Sequence, residues 1–214
     1  MNPVDWLEYE ILDNTVLAWG TAIAVLVGAW LVLGITRRIT RKRLHVLAEH
    51  RKVMALKIAE HAVDQTKSWF LFLVAVFLGS RFLALPPTAD SAISTIVAIA
   101  LLLQMGLWAT AAFTTGMQLR REQQLAIDPS TVAAMDVLGF VLRAAIWSFV
   151  GLLVLDNLGI EITTLVAGLG IGGVAVALAT QNILGDLFAS LSIMLDKPFV
   201  VGDFLNVNDY LGSV

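Results

Sequence analysis

The 214-residue sequence contains no cysteine, and only 14% of its residues are charged. The absence of cysteine excludes a disulfide framework, a thiolate metal site and a cysteine nucleophile. The three histidines, His45, His50 and His61, share one basic stretch, so we expect no histidine metal cage and no cofactor. Hydrophobic residues make up 58% of the chain, whereas an ordinary soluble domain has roughly 45–50%. The composition therefore predicts an integral membrane protein, and the formal net charge of −3 gives no general case for nucleic-acid binding.

Five apolar stretches are long enough to cross a membrane, which takes roughly 17–25 mostly apolar residues. They are Thr15–Ile35, Trp69–Leu85, Ile93–Met117, Val137–Leu155 and Ile162–Gly185. The second stretch is marginal in length and holds Arg81, and the fourth holds Arg143. We expect both arginines to reach toward the membrane surface, or Arg143 to pair with Asp136. The predicted fold class is an all-α membrane protein with five transmembrane helices per subunit.

Almost all basic residues lie on one side of these predicted spans. Twelve of the 14 Lys and Arg residues fall between spans one and two, between spans three and four, or after span five. The segments on the other side contain none. Because Lys and Arg accumulate in cytoplasmic segments, we expect an external N-terminus over residues 1–14 and a cytoplasmic C-terminus. The expected location is a multi-pass protein of the bacterial inner membrane.

The basic segment 36–68, which joins the first two spans, contains an approximate helical stripe of apolar residues: Leu44, Leu47, Met54 and Ile58. Two interpretations stay open. The segment is either an amphipathic helix at the inner leaflet, held by anionic headgroups, or a solvated continuation of the first span. In both, residues 15–161 form lipid-facing sensor helices with a basic helical linker on the cytoplasmic side.

The fifth span has a small residue at nearly every second position: Ala167, Gly168, Gly170, Gly172, Gly173, Ala175, Ala177 and Ala179. Small residues let helix backbones approach closely inside a membrane. A helix that is small around most of its circumference needs close neighbours on more than one side, and copies of itself in a ring would supply them. The alternative is one well-packed interior helix of a monomeric bundle.

Val174 and Leu178 are four residues apart and share one face of this helix. In a ring they would form a hydrophobic constriction that excludes water without a physical block. In a monomeric bundle they would be core residues. The sequence from Gly168 to Gly173 also fits the dinucleotide-binding pattern G-x-G-x-x-G, but within an uncharged span it lacks the strand, soluble helix and acidic residue that such a site requires.

Polar residues follow the constriction, and they predict a helix kink at Gln181, Asn182 and Gly185 because glycine and asparagine lower helix stability. A short amphipathic helix ending at Pro198 comes next. Residues 199–214 are typical of a turn and a strand. Since the sequence reaches Val214 within this β region, we expect a membrane fragment of a longer protein.

From about Thr163 to Val214 the sequence resembles the small-conductance mechanosensitive channel (MscS-like) family. The resemblance rests on GLGIGGVAVALATQNILGD, then LFASLSIMLDKPFVVGDFLNV, then LGSV. It implies a homoheptamer opened by membrane tension, with a kinked pore-lining helix over 162–198 and the start of a cytoplasmic β domain over 199–214. It assigns Val174 and Leu178 to the pore constriction. It assigns helix packing to the small residues Gly168, Gly170, Gly172, Gly173, Ala175 and Ala177.

Three residues depart from the family pattern. Asn182 and Ser190 stand where the family often has glycine, and Gly185 lies between them, so the position of the kink is open between these sites. One of the two ring residues is a valine, Val174, rather than a leucine, which predicts a slightly wider constriction at that ring.

The predicted function is a mechanosensitive ion channel, not an enzyme, that releases ions and small solutes on hypo-osmotic shock. Its expected partners are the lipid bilayer, further copies of the chain and the permeating ions. The rival functions are a secondary transporter and a non-conducting membrane scaffold. A transporter would normally show repeated halves and a paired intramembrane acid, and the sequence has no internal repeat and no acidic residue within the five spans.

Overall fold

A computed structural model of the protein describes residues 10–11, 13–51, 53–124, 129–207 and 210–214. The helices in this described part are α1 (Val16–Arg51), α2 (Met54–Asp64), α3 (Ser68–Ser80), α4 (Pro87–Gln124), α5 (Pro129–Asn157) and α6 (Thr163–Asp196). Two pairs of short strands accompany them: β1 (Glu10–Ile11) with β2 (Asn14–Thr15), and β3 (Phe204–Val207) with β4 (Tyr210–Ser213). The chain divides into two compact units, Met1–Ile160 and Glu161–Val214.

The first unit is organised along α1, a 36-residue helix against which α3 and then α2 run antiparallel. Near its start, α1 packs closely on the end of α3, where a Cβ on Gly79 would lie 2.8 Å from the carbonyl oxygen of Ala22. Near its end, ion pairs of 2.7 Å join Arg41 to Asp64 and His45 to Glu60 on α2. Close packing at Gly79 therefore joins the apolar half of α1 to α3, and two ion pairs join its basic half to α2.

The helical linker predicted for 36–68 consists of the end of α1 and all of α2. Helix α1 continues without interruption from its apolar part to Arg51, and whether this basic part lies at the inner leaflet or in solvent stays a prediction. The chain then turns back, and Val53 is the N-cap of α2 with an extended backbone. Leu47 and Met54 of the predicted apolar stripe consequently lie on different helices, so the stripe is not the face of one helix.

The second predicted span, Trp69–Leu85, is shorter in the structure than the sequence indicates. Helix α3 has 13 residues and ends at Ser80, with Arg81 as its C-cap. At a rise of 1.5 Å per residue it covers about 20 Å, less than the roughly 30 Å of a bilayer core. It reaches spanning length only together with α2, to which it is bent by 69°. Four described helices are thus candidate spans by themselves, and the bent pair is the fifth.

Arg81 lies at the exposed end of α3, in the loop that leads to α4. Its guanidinium bonds the Asp90 carboxylate at 3.3 Å and lies 4.4 Å from the centroid of the Phe77 ring. In the same region, Asn14 accepts a hydrogen bond from the Ala84 backbone N–H and donates one to the Ala84 carbonyl. These bonds fasten the strand pair β1–β2, which the sequence did not predict, to the α3–α4 loop.

Helix α4 packs on α2 and α3 on one side and on α5 on the other. Phe70 of α3 meets Trp108 of α4 edge to face, with ring centroids 6.2 Å apart. Toward α5, a Cβ on Gly106 would lie 3.0 Å from a methyl group of Val150. On α5, Arg143 donates from Nε to the Gly139 carbonyl one turn earlier. The helices therefore form a row in which α4 joins the bent α2–α3 pair to α5.

The second unit contains α6 and the hairpin β3–β4. Helix α6 runs for 34 residues, and Lys197 caps it in the left-handed conformation with φ of 45°. The predicted separate amphipathic helix after the polar residues is therefore wrong: both segments belong to one helix. The antiparallel hairpin pairs Phe204 with Ser213 and Val207 with Tyr210, in agreement with the β region predicted for 199–214.

Candidate functional site

Helix α6 carries all the residues that the sequence predicts for the constriction, the packing surfaces and the kink. None of its residues is buried within the single chain. The exposed fraction is 60% for Val174, 66% for Leu178 and 74% for Ile171. A continuous exposed apolar surface of this length requires lipid or another protein surface to cover it. The helix is thus incomplete as an isolated element.

Four of the larger residues of α6 lie on one side of the helix. Successive residues in an α-helix are separated by about 100°, so Val174 and Leu178 lie within about 40° of each other. Ile171 lies about 20° beyond Leu178, and Gln181 lies about 20° beyond Val174 on the other side. Since α6 is continuous over this whole region, the structure brings the two predicted constriction residues onto one face, which we call the front face.

Small residues occupy both flanks of the front face. On one flank lie Gly168, Gly172, Ala175 and Ala179; on the other lie Gly170, Gly173 and Ala177. A Cβ placed on any of the four glycines would meet no neighbouring atom within 4 Å. Both flanks are therefore open to a close approach by another helix, and the two flanks together are what a helix with two like neighbours would need.

The back of α6 is formed by large aliphatic side chains. Leu169 lies nine residues, or two and a half turns, before Leu178, which puts it on the opposite side of the helix. Val176 also points away from the front face and is 64% exposed. The helix thus has a front of Val and Leu, two flanks of Gly and Ala, and a back of larger apolar residues suited to lipid or to other helices.

The predicted kink residues lie within the continuous helix. Thr180, just before them, donates its hydroxyl to the carbonyl of Val176 at 2.9 Å, which satisfies the hydroxyl without interrupting the helix. Gln181, Asn182 and Gly185 are exposed and extend the front face toward the C-terminus. A kink at these residues stays a prediction.

One polar cluster in the first unit was missed by the sequence analysis. Gln104, in the middle of α4, is fully buried. Its Oε1 accepts a hydrogen bond from the Lys67 backbone N–H at 3.0 Å, and its Nε2 donates to the Gln65 carbonyl at 3.1 Å. Trp108 donates to the Thr66 hydroxyl at 3.1 Å. A lone glutamine within the uncharged run ALLLQMGLW was the signal that could have revealed this cluster.

The cluster satisfies the backbone where α2 and α3 meet. A bend of 69° leaves helix-end groups without partners in either helix, and Gln104 bonds two of them directly. It thereby fixes the bent pair to α4. Elsewhere in the described part of the chain, no group of three or more His, Asp or Glu side chains could hold a metal ion.

Two family models match the chain next to each other. "Mechanosensitive ion channel, transmembrane helices 2/3" matches residues 140–181, and "Mechanosensitive ion channel, beta-domain" matches residues 182–214. The boundary between them falls within α6, between Gln181 and Asn182. The first match includes the constriction residues and both flanks of small residues.

Individual relatives extend the likeness toward the N-terminus. The large-conductance mechanosensitive channel MscMJLR of Methanocaldococcus jannaschii is 34% identical over 151 residues, which is 67% of this chain and 41% of the relative. The uncharacterized MscS family protein YhdY of Bacillus subtilis is 27% identical over 213 residues, 98% of this chain and 57% of the relative. The small-conductance mechanosensitive channel MscMJ of M. jannaschii is 43% identical over 60 residues, 28% of this chain and 17% of the relative.

Four described helices, α6 among them, are long and apolar enough to cross a membrane, and they define a multi-pass membrane protein. The chain belongs to the MscS family of mechanosensitive channels, whose members are channels and not enzymes. It spans about half of the length of the first two relatives.

Proposed function

We propose that the protein is a tension-gated channel that releases ions and small solutes on hypo-osmotic shock. The observation that carries this proposal is α6: an uncovered apolar helix with a Val/Leu front and two small flanks, within the segment that matches the channel family. A transporter or a scaffold would not require this division of one helix into a front and two packing flanks.

The pore would be formed by several copies of α6 around a common axis. Each copy would place one small flank, with Gly168 and Ala175, against the opposite flank of its neighbour, with Gly170 and Ala177. The open space beside the four flank glycines supports this packing. The proposed assembly is a homoheptamer, the number that the family resemblance implies.

The closed gate would consist of two stacked rings of Val174 and Leu178 that face the axis. Apolar rings can hold a pore shut by excluding water even where a gap remains. Gln181, Asn182 and Gly185 would follow as the kink and would lead to the β domain. Because Val is smaller than Leu, the narrower ring would be the one formed by Leu178.

Gating by tension requires two states that differ in membrane area, since tension favours whichever state occupies more of the membrane plane. The row of helices α1–α5 would respond to membrane tension, because its surface is largely apolar and exposed and would contact lipid. In the proposed orientation the N-terminal segment 1–14 is external and the β region 199–214 is cytoplasmic. The one-sided distribution of Lys and Arg supports this orientation.

The proposal is tested by recording from membrane patches that contain the full-length protein while suction is applied. We expect current steps that appear only above a threshold suction and that are absent from patches without the protein. Substrate-dependent uptake without tension-activated current would support a transporter. A protein that assembles in the membrane and carries neither current nor substrate would support a scaffold. Either of these results would contradict the channel proposal.

A further inference from the structure

A groove between α1 and α3 lies where the apolar part of α1 gives way to its basic part. The groove has a volume of 290 Å³. On its apolar side it is lined by Trp30, Leu31 and Ile35 of α1 and by Leu71 of α3. Trp30 and Ile35 are each about half exposed, at 46% and 52%. This wall continues the membrane-facing surface of α1 and is suited to a hydrocarbon chain.

The other side of the groove is lined by three arginines, Arg37, Arg38 and Arg41, and its lining contains no acidic residue. Arg37 donates to the hydroxyl of Ser68 at 3.3 Å and to the carbonyl of Asp64 at 3.2 Å. Arg41 is paired with the Asp64 carboxylate at 2.7 Å. These bonds hold two of the guanidinium groups in place before a ligand arrives, which reduces the entropy lost on binding.

Arg38 differs from its two neighbours. Its side chain is exposed, and it forms no hydrogen bond or ion pair with another residue in the described part of the chain. It also lines the adjoining groove along α1, together with Lys42. A guanidinium with free donors at the edge of a membrane-facing groove can donate two parallel hydrogen bonds to two oxygens of one phosphate group.

Gly34 provides the space for an occupant. It lines the groove, and a Cβ placed on it would meet no neighbouring atom within 4 Å. A larger residue at this position would project into the groove without disturbing the helix. The glycine thus leaves room at the level where the apolar wall meets the three arginines.

We propose that this groove binds an anionic phospholipid, with the headgroup phosphate at Arg38 and one acyl chain along Trp30, Leu31 and Leu71. Three guanidinium groups, of which one is balanced by Asp64, favour a ligand with net negative charge. The apolar wall favours a lipid over a free phosphate, because only the lipid has an acyl chain that can pack against it. The site lies outside residues 140–214, which the two family models match, and it does not depend on the proposed channel activity.

The test uses native mass spectrometry of the purified protein in mild detergent, titrated with phosphatidylglycerol or phosphatidylethanolamine. We expect tighter retention of phosphatidylglycerol by the parent protein. Gly34→Leu should reduce this retention to the level of phosphatidylethanolamine, since the new side chain fills the groove while every charge remains. Gly28→Leu is the matched control, because Gly28 lies on the same helix, has equally open surroundings and does not line the groove.

Arg38→Gln tests the headgroup side separately. Loss of one charge-assisted hydrogen-bonding group should weaken phosphatidylglycerol binding by about tenfold, whereas Arg37 and Arg41 keep their bonds to α2 and α3. Equal retention of phosphatidylglycerol by Gly34→Leu and Gly28→Leu would overturn the proposal. So would displacement of the lipid by millimolar inorganic phosphate, because the groove would then recognise a free anion. A change in the association between chains with unchanged lipid retention would identify the occupant as a second copy and would also overturn it.

Discussion

Leu178 is the side chain on which the proposed gate depends most. If it forms the narrowest ring, Leu178→Ser would place one hydroxyl per subunit at the constriction, and the symmetry of the assembly would repeat it around the pore. Wetting would become easier, and the free-energy difference between the closed and open states would decrease. We expect opening at lower tension in patch recordings, or a resting leak that slows cell growth.

Leu169→Ser is the matched control for this change. Leu169 lies on the same helix, is 54% exposed within the single chain and points to the opposite side from Leu178. The same substitution there should leave the tension threshold close to that of the parent protein. If Leu178 were instead a core residue of a monomeric bundle, its replacement would cost roughly 1–3 kcal/mol of stability and lower the protein level. An abundant Leu178→Ser protein with the parental threshold would remove Leu178 from the gate.

Gln104 is the side chain that fixes the bend between α2 and α3. In Gln104→Leu, the Lys67 N–H and the Gln65 carbonyl would both lose their partner within a buried site. Each unsatisfied buried group costs about 1–3 kcal/mol, so we expect a clear decrease in the thermal unfolding temperature in detergent. Gln118→Leu, on an exposed position of the same helix, should change it little. Equal unfolding temperatures for the two variants would show that the bend does not depend on Gln104.

Helix α6 is a long apolar helix with no residue buried within the single chain, so lipid or another protein surface must cover it. Ala177→Leu would enlarge one packing flank and push adjacent backbones apart. We expect loss of the oligomer, or a changed tension threshold, with normal insertion into the membrane. Val176→Leu adds volume on the back of the same helix and should leave assembly intact. The measurement is native mass spectrometry in detergent together with tension recordings.

If copies of α6 pack in a ring, a second substitution on the same flank should have the same effect. Ala177 and Gly170 belong to the same flank of α6. Gly170→Leu should therefore reproduce the effect of Ala177→Leu. Parental mass and threshold in both flank variants would count against packing of α6 against copies of itself.

The helices that follow from long apolar runs were predictable, and the short ones were not. The sequence predicted the span Ile162–Gly185, with its small residues and with Val174 and Leu178 on one face, because a period of 3.6 residues and a bias toward small side chains are local properties. It did not predict that this span and the segment after it form the single helix α6. It overestimated α3, since the run Trp69–Leu85 stays apolar beyond Ser80, where the helix ends. Arg81 bonds Asp90 in the first turn of α4, and this tertiary contact is not visible in a hydropathy pattern.

The buried cluster at Gln104 shows a second limit. Its partners Gln65 and Lys67 are more than 35 residues away in sequence, and they take part through backbone groups that carry no residue-specific signal. The groove at Arg38 likewise depends on α3 lying against α1. Charge counts predicted that this region would be basic, but only the packing of the two helices brings the arginines beside an apolar wall.

For the molecule as a whole, the decisive property is its orientation in the membrane. The Pro86–Ser91 segment carries no Lys or Arg, whereas the segment between Arg37 and Lys67 carries nine, so we expect the former outside and the latter in the cytoplasm. The 214 residues contain no cysteine, so a single cysteine introduced among them adds one new labelling position, which is read against the unsubstituted protein. Thr88→Cys and Ala55→Cys both replace exposed residues, on α4 and α2 respectively. An impermeant thiol reagent added to intact cells should label Cys at position 88 at once and Cys at position 55 only after lysis. Asn14 is unsuitable for this purpose because it is buried and bonded to Ala84. The reverse labelling order would invert the proposed topology and move the β region out of the cytoplasm.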